Sequence, residues 1–304
     1  MLWFWVTIVA GLFLWPFVSE ILRKPPDPRE APGNLTQLSQ GTTHFQWFGP
    51  ARGPVAVCVH GQTTPMRVYF GVAQELSALG YRVLTYDLYG RGFSSNAPGR
   101  QDMAFHLKQL EDLLEDQNLN DDLLVLGYSM GGAIATEFAA ENPHRVRRLV
   151  ILASAGLDVL RGPGTRFAIK VPILGDWLHY GIGMELFRRE LKATLNDPTE
   201  VSGIVETQLS ELQRRGFRHA TLSSMRWMTL DNMERQHRVL GREGVPVVAI
   251  WGDRDSVIPL TSLGKLAQWN RLSRQEVAGA GHGLPYTHAS EIGALLRTIL
   301  KEKD

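Results

Sequence analysis

Apolar residues follow two different rhythms along this chain. In one, short runs rich in Val, Leu and Ile stand without polar interruption: Val55 to Val59, Arg82 to Tyr86, Leu123 to Leu126, Leu149 to Leu152 and Val245 to Trp251, with a shorter run before Ala278. Uninterrupted runs of this length predict strands covered on both faces. In the other rhythm apolar residues return every three or four positions, which predicts helices. These are Val68 to Leu79, closed by Gly80; Asp102 to Asp116, with Leu107, Leu110, Leu113 and Leu114 on one side; Gly131 to Glu141, stopped before Pro143; and about Ser290 to Leu300. Strand and helix alternate from Gly41 onward, so the pattern predicts an α/β fold, a mostly parallel central sheet flanked by helices.

The alternation breaks between about Gly156 and Arg242, where no strand run occurs. Met184, Phe187 and Leu191 form one helical stripe; Ile204, Val205, Leu209 and Leu212 a second; Met225, Met228 and Met233 a third. A helical insertion of this length inside an α/β unit reads as a cap or lid.

The opening segment differs from both. Leu2 to Phe17 carries no charge and the first acid is Glu20. At 1.5 Å per residue, Leu2 to Leu22 spans roughly 30 Å, the depth of a bilayer core. Trp3, Trp5 and Trp15 sit near its ends, where an interfacial aromatic belt falls. A cleaved signal peptide needs a basic start and a small-residue cleavage site, and neither is evident. A buried core helix does not call for so many large aromatics at a chain start. The segment is therefore read as a single transmembrane anchor. Arg23, Lys24 and Arg29 follow it and no Lys or Arg precedes it, which favours a cytoplasmic location for the bulk of the chain. Pro25, Pro26, Pro28 and Pro32-Gly33 predict a stiff linker behind the anchor. The expected organisation is residues 1–22 anchor, 23–40 Pro-rich linker, 41–155 and 243–304 α/β core, and 156–242 helical cap.

Composition narrows the functional classes. The 304 residues are 44% hydrophobic and carry a formal net charge of +1, which gives nucleic acid no electrostatic footing. The single cysteine, Cys58, lies inside the run Val55 to Val59 and reads as a small buried hydrophobe. No Cys/His cluster has metal-ligand spacing and no phosphate-binding loop is present. No metal or organic cofactor is expected, and the oligomeric state is not legible.

The candidate chemistry begins at Gly127-Tyr128-Ser129-Met130-Gly131. This Gly-x-Ser-x-Gly pentapeptide follows a strand run and opens a helix, the setting a nucleophile elbow requires. The strained turn at the serine demands tiny neighbours, and Gly127, Gly131 and Gly132 supply them. A serine hydroxyl needs a base, and His282, in Gly279-Ala280-Gly281-His282-Gly283, is the candidate among the nine histidines. The imidazole needs an acid to set its tautomer, and Trp251-Gly252-Asp253-Arg254-Asp255 offers two. Asp255, further into the loop, is preferred; Asp253 is the fallback and the natural turn former. The main-chain N–H groups of Gln62, after the strand ending at Val59, and of Met130, after the nucleophile, are the expected oxyanion donors. His60 braces that loop rather than entering the chemistry.

Four stretches in order carry a family resemblance: His60-Gly61, Asp87-Leu88-Tyr89-Gly90-Arg91-Gly92-Phe93-Ser94, Gly127 to Gly131, and the Asp255/His282 pair. From roughly Thr43 to Leu300 the chain resembles the α/β-hydrolase superfamily, and within it esterases and lipases of monoacylglycerol-lipase or lysophospholipase type. The resemblance implies a Gly-x-x-Asp acid, which supports Asp255, and a cap after the strand that follows the nucleophile helix. It implies a structural role for the 87–94 loop, with Asp87 and Arg91 ordering it. The expected function is a serine carboxylic-ester hydrolase working through an acyl-enzyme on medium-chain or lipid esters such as monoacylglycerol, lysophospholipid or phospholipid, with Trp177 and Trp227 among the residues available to an acyl pocket. Two other readings share these motifs: a C–C bond hydrolase or perhydrolase on the same scaffold, and a non-catalytic membrane-tethered binding protein.

Overall fold

The computed structural model describes residues 1–157, 159–228 and 232–301. Eight strands form one sheet: β1 (Asn34–Gln37), β2 (Thr42–Phe48), β3 (Val55–Val59), β4 (Arg82–Tyr86), β5 (Leu123–Tyr128), β6 (Val146–Leu152), β7 (Val247–Gly252) and β8 (Leu272–Val277). Their order is β1-β2-β4-β3-β5-β6-β7-β8. The first two strands pair antiparallel, and every pair from β4/β3 onward is parallel. The uninterrupted runs became the central strands β3 to β7 because both of their faces are covered; Ala56, Val57, Cys58 and Val59 are wholly buried. The Cys58 thiol is raised by burial alone and stays protonated.

Two strands were not expected. β2 has mixed burial, and β1 lies within the expected 23–40 linker, pairing Asn34 with Phe45 and Gln37 with Thr42. Prolines shape the preceding part: Asp27 caps a 3-10 turn at Pro28–Glu30 by accepting from the Arg29 N–H. β2 also buries His44, whose Nδ1 lies 2.6 Å from Asp87 Oδ2 while its Nε2 meets the Pro32 carbonyl. That carboxylate also accepts from the N–H groups of Met66 and Phe93, so one buried acid ties four segments together.

Helices cover the sheet. α1 (Leu2–Ile21) precedes it; α2 (Phe70–Ala78), α3 (Met103–Asp116) and α4 (Met130–Glu141) connect β3 to β6. Asp102 caps α3 by accepting from Phe105 N–H, and Gly80 after α2 has φ +89, where a side chain would be strained. Between β6 and β7 lie α5 (Pro163–Lys170), α6 (Leu174–Leu178), a π turn at His179–Gly183, α7 (Met184–Ala193), α8 (Ile204–Glu211), α9 (Phe217–Trp227) and α10 (Glu234–Glu243). α11 (Ser262–Trp269), α12 (Leu284–Thr287) and α13 (Ala289–Ile299) finish the chain. Two stripes of the insertion behave as expected, with Met184, Leu191, Ile204, Val205 and Leu212 buried. The third does not exist as one stripe: α9 ends at Trp227, Met228 is in the extended cap position, and Met233 precedes α10. α10 packs on α4, where Arg235 and Gln236 bond Glu137, so it flanks the sheet.

α1 is long and apolar enough to cross a membrane. Its large side chains from Leu2 to Leu12 are exposed, and only Pro16 and Glu20 are buried. The end of α1 docks on the insertion. Phe17 packs edge-on against Tyr180 at 5.9 Å, Trp177 Nε1 donates to Leu12 O, and Glu20 accepts from Gly216 N–H at 2.6 Å while facing Arg23 and Arg218.

Candidate active site

The C-terminal ends of the parallel strands meet where β5 turns into α4. Ser129 occupies this turn with φ +54 and ψ −121, a conformation costly for any residue with a side chain. The surroundings fix it. Ser129 N–H donates to Leu152 O at 3.0 Å, and its carbonyl accepts from Gly132 N–H and Ala155 N–H, each at 2.9 Å. A Cβ on Gly131 would overlap the carbonyl oxygens of Val59 and His60, so the start of α4 rests directly on the end of β3. That close approach is why glycine is required there.

The three side chains expected from the sequence lie in one line. His282 Nε2 stands 3.0 Å from Ser129 Oγ, and its Nδ1 stands 2.8 Å from Asp255 Oδ2. These distances suit proton transfer from a hydroxyl to an oriented imidazole. Asp255 uses its other oxygen to accept from Val257 and Ile258 N–H at 2.8 and 2.9 Å. Its side chain is fully buried and that of His282 is 19% exposed, so the acid is fixed while the imidazole reaches the cleft. Of the two carboxylates, Asp255 is the one that reaches His282. Asp253 is exposed and accepts from Gly279 N–H at 2.7 Å, shaping the turn before His282.

Gln62 and Met130 both line the cleft at Ser129. Among the described residues, neither of their main-chain N–H groups has an acceptor, which leaves both available to a ligand oxygen. His60 behaves as a brace: its Nδ1 bonds Gly61 O at 2.7 Å, and its Nε2 accepts from Leu88 N–H at 2.8 Å. Burial pushes its pKa down to about 4, so it is neutral and holds that one tautomer.

One cleft opens at Ser129 and a larger cavity adjoins it. A cleft of about 190 Å³ holds Ser129, Met130, Ala155, Val159 and Ile258. It shares Gln62, Gly162, Thr165 and Met225 with a cavity of about 440 Å³ beneath α5, α6, α7 and α9, lined by Ala168, Leu178, Ile182, Met184, Leu186 and Phe187. Among the described lining residues the larger cavity has one acidic side chain, Glu190, and the cleft has one basic side chain, Arg161. His179, also lining the cavity, is pushed down to about 4 by burial and is neutral. Trp177 and Trp227, expected as possible pocket walls, do not line either space; Trp227 is covered by Arg100, 4.2 Å above its ring.

Arg91 does more than order its own loop. It is wholly buried, and its guanidinium reaches Gln62 O, Tyr89 O and Gln101 in the core and Ala220 O and Ser224 Oγ on α9. Beside it, burial pushes the Glu211 carboxyl up to about 7, against the opposing pull of Arg214, the Gly92 N–H and Arg91. An acid whose pKa rises on folding contributes stability below its unfolded value, about 4.3, and loses it as pH climbs through about 7. Glu211→Gln, which imitates the protonated acid, is therefore expected to be close to wild type in Tm at pH 5. At pH 8.5 it should exceed wild type by several degrees. Thermal unfolding of both proteins across that range checks this; a constant offset at every pH would show that Glu211 does not titrate there.

Comparison with known proteins agrees with this architecture. The family profile described as alpha/beta hydrolase fold matches residues 54–169. A 2-hydroxymuconate semialdehyde hydrolase of Pseudomonas sp. (strain CF600) is 30% identical over 240 residues, covering 73% of this chain and 77% of that protein. Lipase 1 of Psychrobacter immobilis is 24% identical over 227 residues, covering 74% and 69%. Among solved structures, a membrane phospholipase A superposes with a TM-score of 0.70 at 17% identity, over 99% of this chain and 97% of that one. The chain belongs to the α/β-hydrolase superfamily, as its resemblance in sequence implied. Its relatives are enzymes of more than one hydrolytic kind.

Proposed function

We propose that this protein is a membrane-anchored serine hydrolase that cleaves carboxylic esters of medium-chain or lipid acyl groups. The observation that carries the reading is the line Asp255–His282–Ser129 ending in a cleft that continues into an apolar cavity. Ser129 Oγ attacks the ester carbonyl as His282 Nε2 takes its proton, and Asp255 stabilises the imidazolium through Nδ1. The N–H groups of Gln62 and Met130 hold the oxyanion. His282 then protonates the departing alcohol, and water repeats the cycle on the acyl-enzyme. Apart from the hydrolytic water, the groups that act are those of this chain.

The cavity volume suits an acyl chain, and Leu178, Ile182, Met184, Leu186, Phe187 and Met225 give it a mainly apolar wall. Each buried methylene gains about 0.8 kcal/mol, about fourfold in kcat/KM. A p-nitrophenyl ester series is expected to rise in kcat/KM from acetate toward medium chains at up to that slope, then level off when the cavity is full. A maximum at acetate would contradict the acyl role of the cavity.

The likeness to 2-hydroxymuconate semialdehyde hydrolase favours a second reading, C–C bond hydrolysis with the same nucleophile. Such a substrate carries a carboxylate and calls for a cation. Arg161 at the cleft is the one cationic side chain among the described lining residues of the cleft and cavity, whereas a neutral ester needs none. Parallel assay of the dienoic semialdehyde and of esters separates the two. Labelling by a fluorophosphonate separates both from a non-catalytic binding protein, which would leave Ser129 unmodified.

For the anchor, the support is the apolar length of α1, its exposed side chains, and the seat of its end on the insertion that roofs the cavity. The basic residues Arg23, Lys24 and Arg29 after the helix favour the cytoplasmic face for the hydrolase. The helices α5 to α9 serve as its cap.

A further inference from the structure

The oxyanion donor on Gln62 sits in a loop with no regular secondary structure to hold it. An N–H that must meet a developing charge within a few tenths of an ångström needs its peptide plane fixed from outside. Two sets of bonds do so. On one side, the planar peptide that contains Gln62 N–H also contains Gly61 O, which is bonded by His60 Nδ1 at 2.7 Å. On the other side, Gln62 O accepts from Arg91 Nε at 3.0 Å, and the Gln62 side chain donates from Nε2 to Thr221 O at 2.9 Å.

The remaining guanidinium nitrogens reach in two directions. Nη1 bonds Tyr89 O at 2.8 Å and Gln101 Oε1, both in the core. Nη2 bonds Ser224 Oγ at 2.9 Å and Ala220 O at 3.3 Å, both on α9. Arg91 is thus the junction of three parts: the 87–94 loop, the oxyanion loop and the cap helix whose Thr221 and Met225 line the cavity.

Resting on the hydrolase reading above, we propose that Arg91 is the positioning residue of the oxyanion donor, bolting the Gln62 main chain to α9 so that the catalytic loop and the cap keep one register. A lysine cannot replace it, because one ammonium cannot point at Gln62 O, Tyr89 O and Ser224 Oγ together. Ser224 is the outer half of the same bolt, since its hydroxyl accepts from Arg91 and donates to Gln101 Oε1 at 3.0 Å.

The test uses the full-length protein in detergent as wild type, Arg91→Lys, Ser224→Ala and Gln62→Ala. Active sites are counted by end-point fluorophosphonate labelling, so loss of folded protein is divided out. Then kcat and KM for a p-nitrophenyl ester and Ki for an alkyl trifluoromethyl ketone, which forms a tetrahedral oxyanion on serine, are measured per labelled site. Arg91→Lys is expected to lower kcat about 10²-fold, the worth of one oxyanion donor, with KM within about threefold. Ki should rise in proportion to the loss in kcat/KM. Ser224→Ala, which loses the bonds to Arg91, Gln101 and His106, and Gln62→Ala, which loses the bond to Thr221 O, are expected to lower kcat and weaken the ketone by about threefold to tenfold. Unchanged kcat and Ki per labelled site in Arg91→Lys would overturn the proposal and leave Arg91 a structural residue. If Arg91→Lys does not fold, unchanged kcat and Ki in both Ser224→Ala and Gln62→Ala overturn it equally. Failure of the wild type itself to label or to turn over esters would instead overturn the hydrolase reading.

Discussion

Ser129→Ala is expected to lower kcat for ester substrates about 10⁶-fold, the scale seen when the nucleophile of a serine triad is removed. The fold should stay intact. Alanine keeps the Cβ, so the positive φ at position 129 is no more strained than before. The bonds that hold the elbow run through main-chain atoms, from Ser129 N–H to Leu152 O and from Gly132 and Ala155 N–H to Ser129 O. The substitution removes one side-chain bond, to His282 Nε2. Circular dichroism and Tm should match wild type while turnover and fluorophosphonate labelling both vanish. Turnover above about 1% of wild type would place the nucleophile elsewhere, since no step of an acyl-enzyme route survives without the Oγ.

Asp255→Asn is expected to cost about 10⁴-fold in kcat with little change in stability. The amide oxygen of Asn can still accept from Val257 and Ile258 N–H, which keeps the loop. Its NH₂ then faces His282 Nδ1 and can only donate. The imidazole is driven to carry its proton on Nε2, toward Ser129, and can no longer act as base. Asp253→Asn provides the contrast. Its one bond, from Gly279 N–H, is reproduced by an amide oxygen, so activity should stay within about twofold of wild type. Steady-state kinetics of the two variants side by side decide which carboxylate serves His282. Equal losses in both would mean that the loop as a whole, not Asp255, is needed.

Much of the site was legible before any coordinates. Ser129 announces itself because its demands are local: a strand run, a pentapeptide with glycines where a Cβ would overlap β3 (Gly131) or α4 (Gly127), then a helix. His282 and Asp255 were found by chemical need and chain order, and the distances bring both to the serine. Arg91 was visible only as a member of a turn. Its bonds to Gln62, 29 positions away, and Ser224, 133 positions away, leave no periodic trace. His44 was passed over for a similar reason. It stands on β2, whose mixed pattern comes from lying near the antiparallel edge, and it finds Asp87 through pairing with β4.

The sequence by itself determined the class of fold and the central strands, and it singled out Ser129, Asp255 and His282, which the structure brings within hydrogen-bond distance of one another. The fold and strands show because burial is so complete that it marks every position of a run, the serine because its demands lie within a few residues, and the acid and base because the chemistry requires them in a set chain order. Only the tertiary structure decided the course of the edge, with β1 inside the expected linker, and the placement of α10 on α4. It alone decided which apolar side chains of the insertion line a cavity and which, like Trp227 under Arg100, lie outside it. It also decided where α1 rests and what holds Gln62. Each of these depends on which distant surfaces meet, and a one-dimensional pattern of apolar and polar residues records that a face is buried without recording against what.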